Sequence, residues 1–350
     1  MTPPDAGSQA RMYLDANRPR EALRSLGRAL ADDPDDPALL RLLAQAHLAA
    51  DAGRQGATDA IAAASRAIAL DADDPFPWRV LSIAYTRLGR HTQSREAART
   101  ARGLAPWLWV SHTIVAHADA SAKAVSTDTN ESLAEALRLA PGEAEVHFAA
   151  GRVADASHNS TAAARHYEQA LALDPAHAGA RNNLAVIDMR NGNAGRAAAG
   201  FVGILAQDPG STLALYNLRV AAQRSLRVVN IVLWVALVIV NGIGRGDAAD
   251  PTDKTVSVVV ALLATAIIVG YVLWVRRRAG AYFARFVRSI PATDKLLAVW
   301  AGALACCLVA LIAAIFTPAE ATRIIYSCAA ILLLASLIGA TALGRARPRP

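Results

Sequence analysis

Residues 75–106 read PFPWRVLSIAYTRLGRHTQSREAARTARGLAP, and their spacing decides the fold. Trp78, Leu81 and Tyr85 recur at intervals of three and four, which sets them on one face of a helix. Gly89 then makes a turn. Ser94, Ala98 and Ala101 repeat the spacing on a second helix, and Pro106 ends it, because proline lacks a donor and clashes with the preceding turn. The same stop returns at Pro141, Pro175 and Pro209, 34 residues apart. Before Pro175 stand Leu173, Ala170, Tyr167 and Ala163; before Pro209 stand Ile204, Phe201 and Ala197, with Gly192 in the turn. Two helices in a period of this length make a helix-turn-helix solenoid. Small residues at fixed places let the paired helices approach, while larger apolar ones fill the gap they frame.

This register resembles the tetratricopeptide repeat, whose pattern is Trp-x2-Leu-Gly-x2-Tyr, then Ala, an aromatic, Ala and a closing Pro. In residues 75–106, Ser82 stands in the Gly place, Ser94 in the first Ala place and Ala98 in the aromatic place. A first copy runs to Pro34 with Tyr13, Ala22, Leu26 and Ala29. A second has Leu40, Leu43, Ala44, Ala60, Ala64 and Ala67, with a loop from Gly53 to Thr58 that is about four residues too long for the period. The fourth, 107–141, is degenerate, opening on Trp107-Leu108-Trp109 and turning through the polar stretch Ser121–Asn130. Copies 142–175 and 176–209 are regular, and 211–224 supply a lone first helix with Leu215, Asn217 and Leu218 in register. The resemblance covers residues 1–224 with about six repeats and a closing helix.

The resemblance implies a concave groove lined by the first helix of each repeat. The matching places are Arg79, Ile83, Arg87, Phe148, Arg152, Asn182, Asn183, Val186, Arg190, Tyr216, Asn217 and Arg224. Asn183 and Asn217 match an asparagine that in many such proteins bonds the backbone of a bound peptide. A row of arginines would suit an acidic segment or a C-terminal carboxylate through charge-assisted hydrogen bonds. The competing reading makes each arginine a solvated residue paired to a local acid, worth about 0–1 kcal/mol. The lysine-rich clamp of chaperone-binding members is missing, which leaves that partner class without support.

Beyond residue 224 the composition changes. Residues 1–224 hold 23 basic and 24 acidic side chains, whereas 225–350 hold 13 and 5. The basic balance (pI about 9.7) therefore belongs to the second part, and the near-neutral repeats give no reason to expect nucleic acid as a partner. Four apolar stretches, 228–244, 255–275, 296–316 and 324–343, contain no Asp, Glu, Lys, Arg or His and are long enough to cross a bilayer as helices. The expected architecture is thus all-α: a solenoid over 1–224 and a four-helix transmembrane bundle over 225–350. Small residues at four-residue spacing, such as Ala301 and Ala305, would let these helices touch. Cys306, Cys307 and Cys328 read as small packing residues.

Twelve basic residues flank one side of the four stretches: Arg219, Arg224, Arg227, Arg276, Arg277, Arg278, Arg285, Arg288, Lys295, Arg345, Arg347 and Arg349. Only Arg245, Lys254 and Arg323 flank the other. Basic residues stay inside, so both termini and the repeats are expected in the cytoplasm, at the inner membrane of a bacterial cell. The N-terminus lacks the basic and apolar regions of a signal peptide, which agrees. Arg276, Arg277, Arg278, Arg285 and Arg288 are candidates for anionic lipid headgroups. Phe283, Phe286, Val287 and Ile290 beside them suit either a short interfacial helix or an ordinary stop-transfer loop. Between Gly210 and Gly242 no proline or glycine intervenes, so the closing helix either continues into the first apolar stretch or breaks near Ser225 to Arg227.

No phosphate loop, zinc motif, CxxC pair or nucleophile elbow occurs. His112 and His117 are five apart, so they do not share a helix face cleanly, and no carboxylate is placed to complete a site. Neither a cofactor nor a metal is expected, nor is enzymatic activity. The expected function is a membrane-anchored adaptor that recruits a protein or peptide segment through its groove. The rival is a structural subunit of a membrane transport, secretion or envelope-assembly complex, with oligomers or other membrane proteins as partners.

Overall fold

Aspartate followed by proline starts the first helix of the second and third repeats. Asp36 accepts the amide N–H of Ala38 at 2.8 Å and of Leu39 at 3.2 Å, and Asp74 accepts that of Phe76 at 2.8 Å. Pro37 and Pro75 take the first helical position, where a missing N–H costs no intrahelical bond. The computed structural model describes residues 5–51, 53–208, 210–243, 251–279, 295–313 and 329. The helices within them are α1 (Ala6–Asp15), α2 (Pro19–Asp32), α3 (Pro37–Ala50), α4 (Arg54–Leu70), α5 (Pro75–Arg87), α6 (His91–Leu104), α7 (Trp109–Ala122) and α8 (Thr127–Leu139). They continue as α9 (Ala144–Ala156), α10 (Ser160–Leu173), α11 (Ala178–Arg190), α12 (Ala194–Gln207), α13 (Thr212–Ile243), α14 (Pro251–Ala279) and α15 (Lys295–Ala313). They form two compact units, one ending at Ala180 and one beginning at Arg181.

In the first unit the helices alternate as expected. Each first helix packs on its own second helix, and α1, α3, α5, α7 and α9 also touch one another in series. That inner row defines a solenoid. Its core is mostly alanine: Ala44, Ala57, Ala60, Ala64 and Ala84 are fully buried and bring backbones close, with Leu81 and Val80 between them. Tyr167, the largest fully buried side chain among the described residues, packs against Gly151, where any Cβ would strike its ring. Helices α6, α8 and α10 each stop two residues before Pro106, Pro141 and Pro175, as the spacing implied; Pro209 lies outside the described residues.

The Trp place of the repeat has a job besides packing. Trp78 donates its ring N–H to the carbonyl of Ala72 at 3.2 Å, six residues earlier. His112 and His147 make the same bond, from Nε2 to the carbonyls of Pro106 at 2.7 Å and Pro141 at 3.0 Å. A carbonyl only accepts, so both imidazoles carry their proton on Nε2.

Two expectations need correction. The stretch Gly53–Thr58 is not an overlong loop, because α4 begins at Arg54 and is itself long, 17 residues. Asp51 makes this possible by accepting the N–H of Gly53 at 2.7 Å and of Gly56 at 2.9 Å. Gly56 lies so close to the Asp51 carbonyl that a Cβ would clash with it. Likewise the turn of the fourth repeat is short, residues 123–126, because Ser126 and Thr129 cap α8 reciprocally. Lys123 ends α7 in the left-handed region at φ 53°. Thr129 also donates to Asp119 at 2.6 Å. Asp119 is fully buried and accepts Arg95 Nε at 2.6 Å and Arg99 Nη2 at 3.0 Å; Asp128 on α8 accepts Arg99 Nε at 3.0 Å and Arg102 Nη1 at 2.6 Å. The degenerate repeat is thus held by ion pairs as well as by apolar packing.

In the second unit, α12 packs on α13 and α14, and α15 packs on both of the latter. One apolar core runs through Ala185, Phe201, Leu218, Leu233, Ile268 and Leu304. Helix α13 is continuous through Ser225 to Arg227, so of the two sequence alternatives the unbroken helix is the observed one. Its 32 residues rise about 48 Å. No helix of the described residues is long and apolar enough to cross a membrane, so the four-helix transmembrane bundle is not supported. Of the four apolar stretches, 324–343 lies outside the described residues except for Ala329, as do Arg285 and Arg288. Apolar side chains are nonetheless exposed on the long helices, among them Ile231 and Val235 on α13, Leu262 and Ile267 on α14, and Val299 and Val309 on α15.

Candidate peptide-binding surface

The first helices carry the residues singled out from sequence, and most of their arginines are already engaged. Arg87, in the last turn of α5, donates Nη1 to the carbonyls of Leu48 at 2.7 Å and Asp51 at 3.2 Å. Arg224 on α13 does the same within the second unit, to Met189 at 2.9 Å. Carbonyls at a helix C-terminus lack intrahelical donors and carry partial negative charge, so a guanidinium from the next first helix satisfies both needs. Arg152 takes an equivalent place beside the last turns of α7, donating Nη1 to His117 Nδ1 at 3.0 Å and Nη2 to Ser121 Oγ at 2.6 Å. These three arginines brace one first helix against its predecessor. Sequence reasoning offered a choice between ligand contacts and exposed ion pairs; the structure adds a third role, a brace between repeats.

Arg79 differs. Its guanidinium lies over the Phe76 ring, 5.0 Å from the centroid, and Arg41 from α3 lies over the same ring at 5.3 Å. Arg41 is paired with Asp74 at 3.3 Å. Among the described residues Arg79 makes no hydrogen bond or ion pair, and its Nε is buried with no partner. Burial lowers its pKa, since a desolvated guanidinium is costly. Ile83, one turn on, is exposed.

Phe148 sits at the centre of a cluster that sequence reasoning missed. Its ring is tilted against His117, Tyr167 and His177, with centroids at 5.5, 5.9 and 4.7 Å. Glu145, one turn before it on α9, bridges two histidines: His117 Nε2 at 2.8 Å and His177 Nε2 at 3.1 Å. His117 Nδ1 accepts from Arg152, and His177 Nδ1 accepts the N–H of Ala180 at 3.1 Å, so each ring keeps its proton on Nε2 for Glu145. Burial alone would raise the Glu145 pKa, but the two histidine bonds outweigh it and hold the carboxyl at about 2. Burial pushes His117 down, whereas the bond to Glu145 pushes His177 up. The sequence signal was available in the repeat period. His117, Glu145 and His177 are separated by 28 and 32 residues, close enough to one repeat to meet across adjacent units.

In the second unit the asparagines bond one another. Asn217 donates Nδ2 to Asn182 Oδ1 at 2.8 Å, and Asn182 donates Nδ2 to Asn183 Oδ1 at 3.3 Å. Asn182 and Asn217 are buried, so their amides join α11 to α13; Tyr216 beside them is exposed, as is Arg190 in the last turn of α11. Arg276, Arg277 and Arg278 occupy the end of α14, where Arg277 is exposed. Among the described residues no group of three His, Cys, Asp or Glu side chains could hold a metal ion.

The tetratricopeptide repeat family model matches residues 13–56 and 156–221. No curated protein matches the chain. Among solved structures, a thermophilic TPR protein of Thermus thermophilus is 21% identical, with a TM-score of 0.43 over 47% of this chain and 89% of that one. The APC/C hetero-tetramer Cut9–Hcn1 is 18% identical with a TM-score of 0.49, over 62% of this chain and 42% of that one. PilW, a widely conserved type IV pilus biogenesis factor, is 16% identical with a TM-score of 0.47, over 60% of this chain and 94% of that one. The matched residues and the alternating helix pairs agree on one conclusion: residues 13–56 and 156–221 carry tetratricopeptide repeats within an all-α solenoid.

Proposed function

We propose that this protein is a membrane-anchored interaction adaptor whose repeats hold a protein or peptide segment at the inner, cytoplasmic face of the cell membrane. Helix α13 carries the reading. Its first half bears Tyr216 and Asn217 in the repeat register, and its second half exposes Val228, Ile231, Trp234, Val235, Val238 and Ile239 without a break between. Exposed apolar bands of this kind mark surfaces made for lipid or protein contact. Anionic headgroups would meet Arg276, Arg277, Arg278, Arg285 and Arg288, and the excess of basic residues on the same side as the repeats favours a cytoplasmic solenoid. The exposed apolar side chains on α14 and α15 exceed what a single tether needs. That surplus favours a second reading, in which the same helices join other membrane proteins in a larger complex.

Flotation on a sucrose gradient tests the anchor. The full chain should rise with membranes and remain there after a carbonate wash; recovery in the aqueous fraction would sink the proposal. In intact spheroplasts, external protease should leave the repeats whole, and their digestion would reverse the orientation.

A further inference from the structure

His117 on α7 is held between opposite charges carried by one neighbouring helix. Its Nε2 donates to Glu145 at 2.8 Å and its Nδ1 accepts Arg152 Nη1 at 3.0 Å; both partners stand on α9, seven residues apart and so on one face. We propose that this ring is a proton-operated latch on the joint between the fourth and fifth repeats. Neutral, it ties Arg152 to α7; protonated on Nδ1, it expels the guanidinium and lets α9 part from α7. An imidazole nitrogen that gains a proton becomes a donor, so Nδ1–H would face a second donor and a like charge. Glu145 holds a charged ring more firmly than a neutral one, so the guanidinium is the group that yields. The bond from its other arm to Ser121 Oγ, at 2.6 Å, goes with it.

The surroundings concentrate the conflict on this ring. From the turn before α11 comes His177, which shares Glu145, and Phe148 lies against both rings with Tyr167 of α10 beside it. The ionisable groups that α6 and α8 bring to α7, namely Arg95, Arg99, Arg102 and Asp128, gather around Asp119, two residues on and so on the other side of α7. On α5, Arg87 is turned to the carbonyls of Leu48 and Asp51. Glu145 is thus the one carboxylate bonded to His117 among the described residues, and it already serves His177. His177 is not a second latch of this kind, because its Nδ1 faces a backbone amide and not a full charge. Its own proton adds a positive group beside His117 and sharpens the repulsion. Burial and Arg152 hold the closed His117 ring below its ordinary 6.5, a value the opened ring regains. The opened joint therefore gains weight as pH falls below 6.5, by about thirtyfold at pH 5, while Glu145, held at about 2, stays ionised. The latch belongs to the solenoid alone and does not rest on the membrane reading.

Two measurements on the purified full chain test it. With carbon-13-labelled histidine, the imidazole signal that vanishes in His117→Asn belongs to His117. Arg152→Gln should raise the midpoint of that signal by about one pH unit, a tenfold gain in proton affinity. The midpoint of His47, lowered by its own burial on α3, should stay where it is, which separates the effect from unfolding. An unmoved His117 midpoint would overturn the latch. Hydrogen exchange, corrected for the intrinsic effect of pH, should show the amides of 117–122 and 145–152 opening about thirtyfold more at pH 5 than at pH 7.5, while those of α3 keep their protection. His117→Asn, whose side-chain oxygen accepts without titrating, should abolish that difference. Acid loosening that persists in His117→Asn, or that spreads equally to α3, would overturn the proposal as well.

Discussion

Asp119 has no exposed surface, and its carboxyl oxygens accept from the guanidiniums of Arg95 and Arg99 and from the hydroxyl of Thr129. Removing one partner of a buried ion pair costs about 3–5 kcal/mol. Both guanidiniums keep about a third of their surface in water and can rehydrate, so Asp119→Ala should fall near the low end, about 3 kcal/mol. A urea titration of the purified chain reads this as a lower midpoint, and an unchanged midpoint would mean that the network adds nothing. Glu145 makes a prediction in pH. Its folded pKa, about 2, lies below the ordinary 4.5, so the stability it contributes is complete above pH 4.5 and is lost as pH falls through 2. His117, shifted down, likewise favours the fold above 6.5 and loses that contribution on acidification. His177, shifted up, contributes below 6.5 and loses it as pH rises through its folded value. Near neutrality the two histidines oppose one another; on further acidification His117 and Glu145 act in the same direction, and Glu145 supplies the part between pH 4.5 and 2. Melting temperatures of wild type and Glu145→Gln should therefore converge between pH 4.5 and 2, and curves that stay parallel there would refute the assignment.

At the scale of helices, the braces make each C-terminus depend on the next repeat. Arg87→Ala should leave the carbonyls of Leu48 and Asp51 to water and fray the last turn of α3. Hydrogen exchange should then quicken around residues 48–51 while α6 stays protected; uniform exchange across both would deny the brace. Most helices were legible because their signals are local. Proline two residues past an end and glycine in a turn act within four residues of where they stand. The misread loops were set by side chains whose targets follow no fixed pattern. Asp51 draws the start of α4 forward to Arg54, and Thr129 can cap α8 while also reaching Asp119. The candidate surface was legible only as a list of places. That Arg87 and Arg224 bond carbonyls while Arg79 Nε finds no partner among the described residues depends on contacts between repeats, which one helix face cannot reveal.

For the molecule as a whole, the first unit is a row of near-equivalent joints with one exception. The Trp place donates to the preceding turn in three successive repeats, at Trp78, His112 and His147, so by this bond alone the units are alike, as links of a chain are. The fourth repeat cannot be taken out so simply. Its α7 holds Asp119, which anchors arginines of the third repeat, and His117, which anchors Glu145 of the fifth. Excising 34 residues across the fifth repeat should keep a folded protein of shorter contour. Excising the same length across the fourth should strand Arg95, Arg99 and Glu145 together, and the melting of the two deletions compares the cases directly. The repeat least like its neighbours in sequence is thus the keystone, and a lineage that gains or loses repeats by unequal recombination would be expected to do so on either side of it.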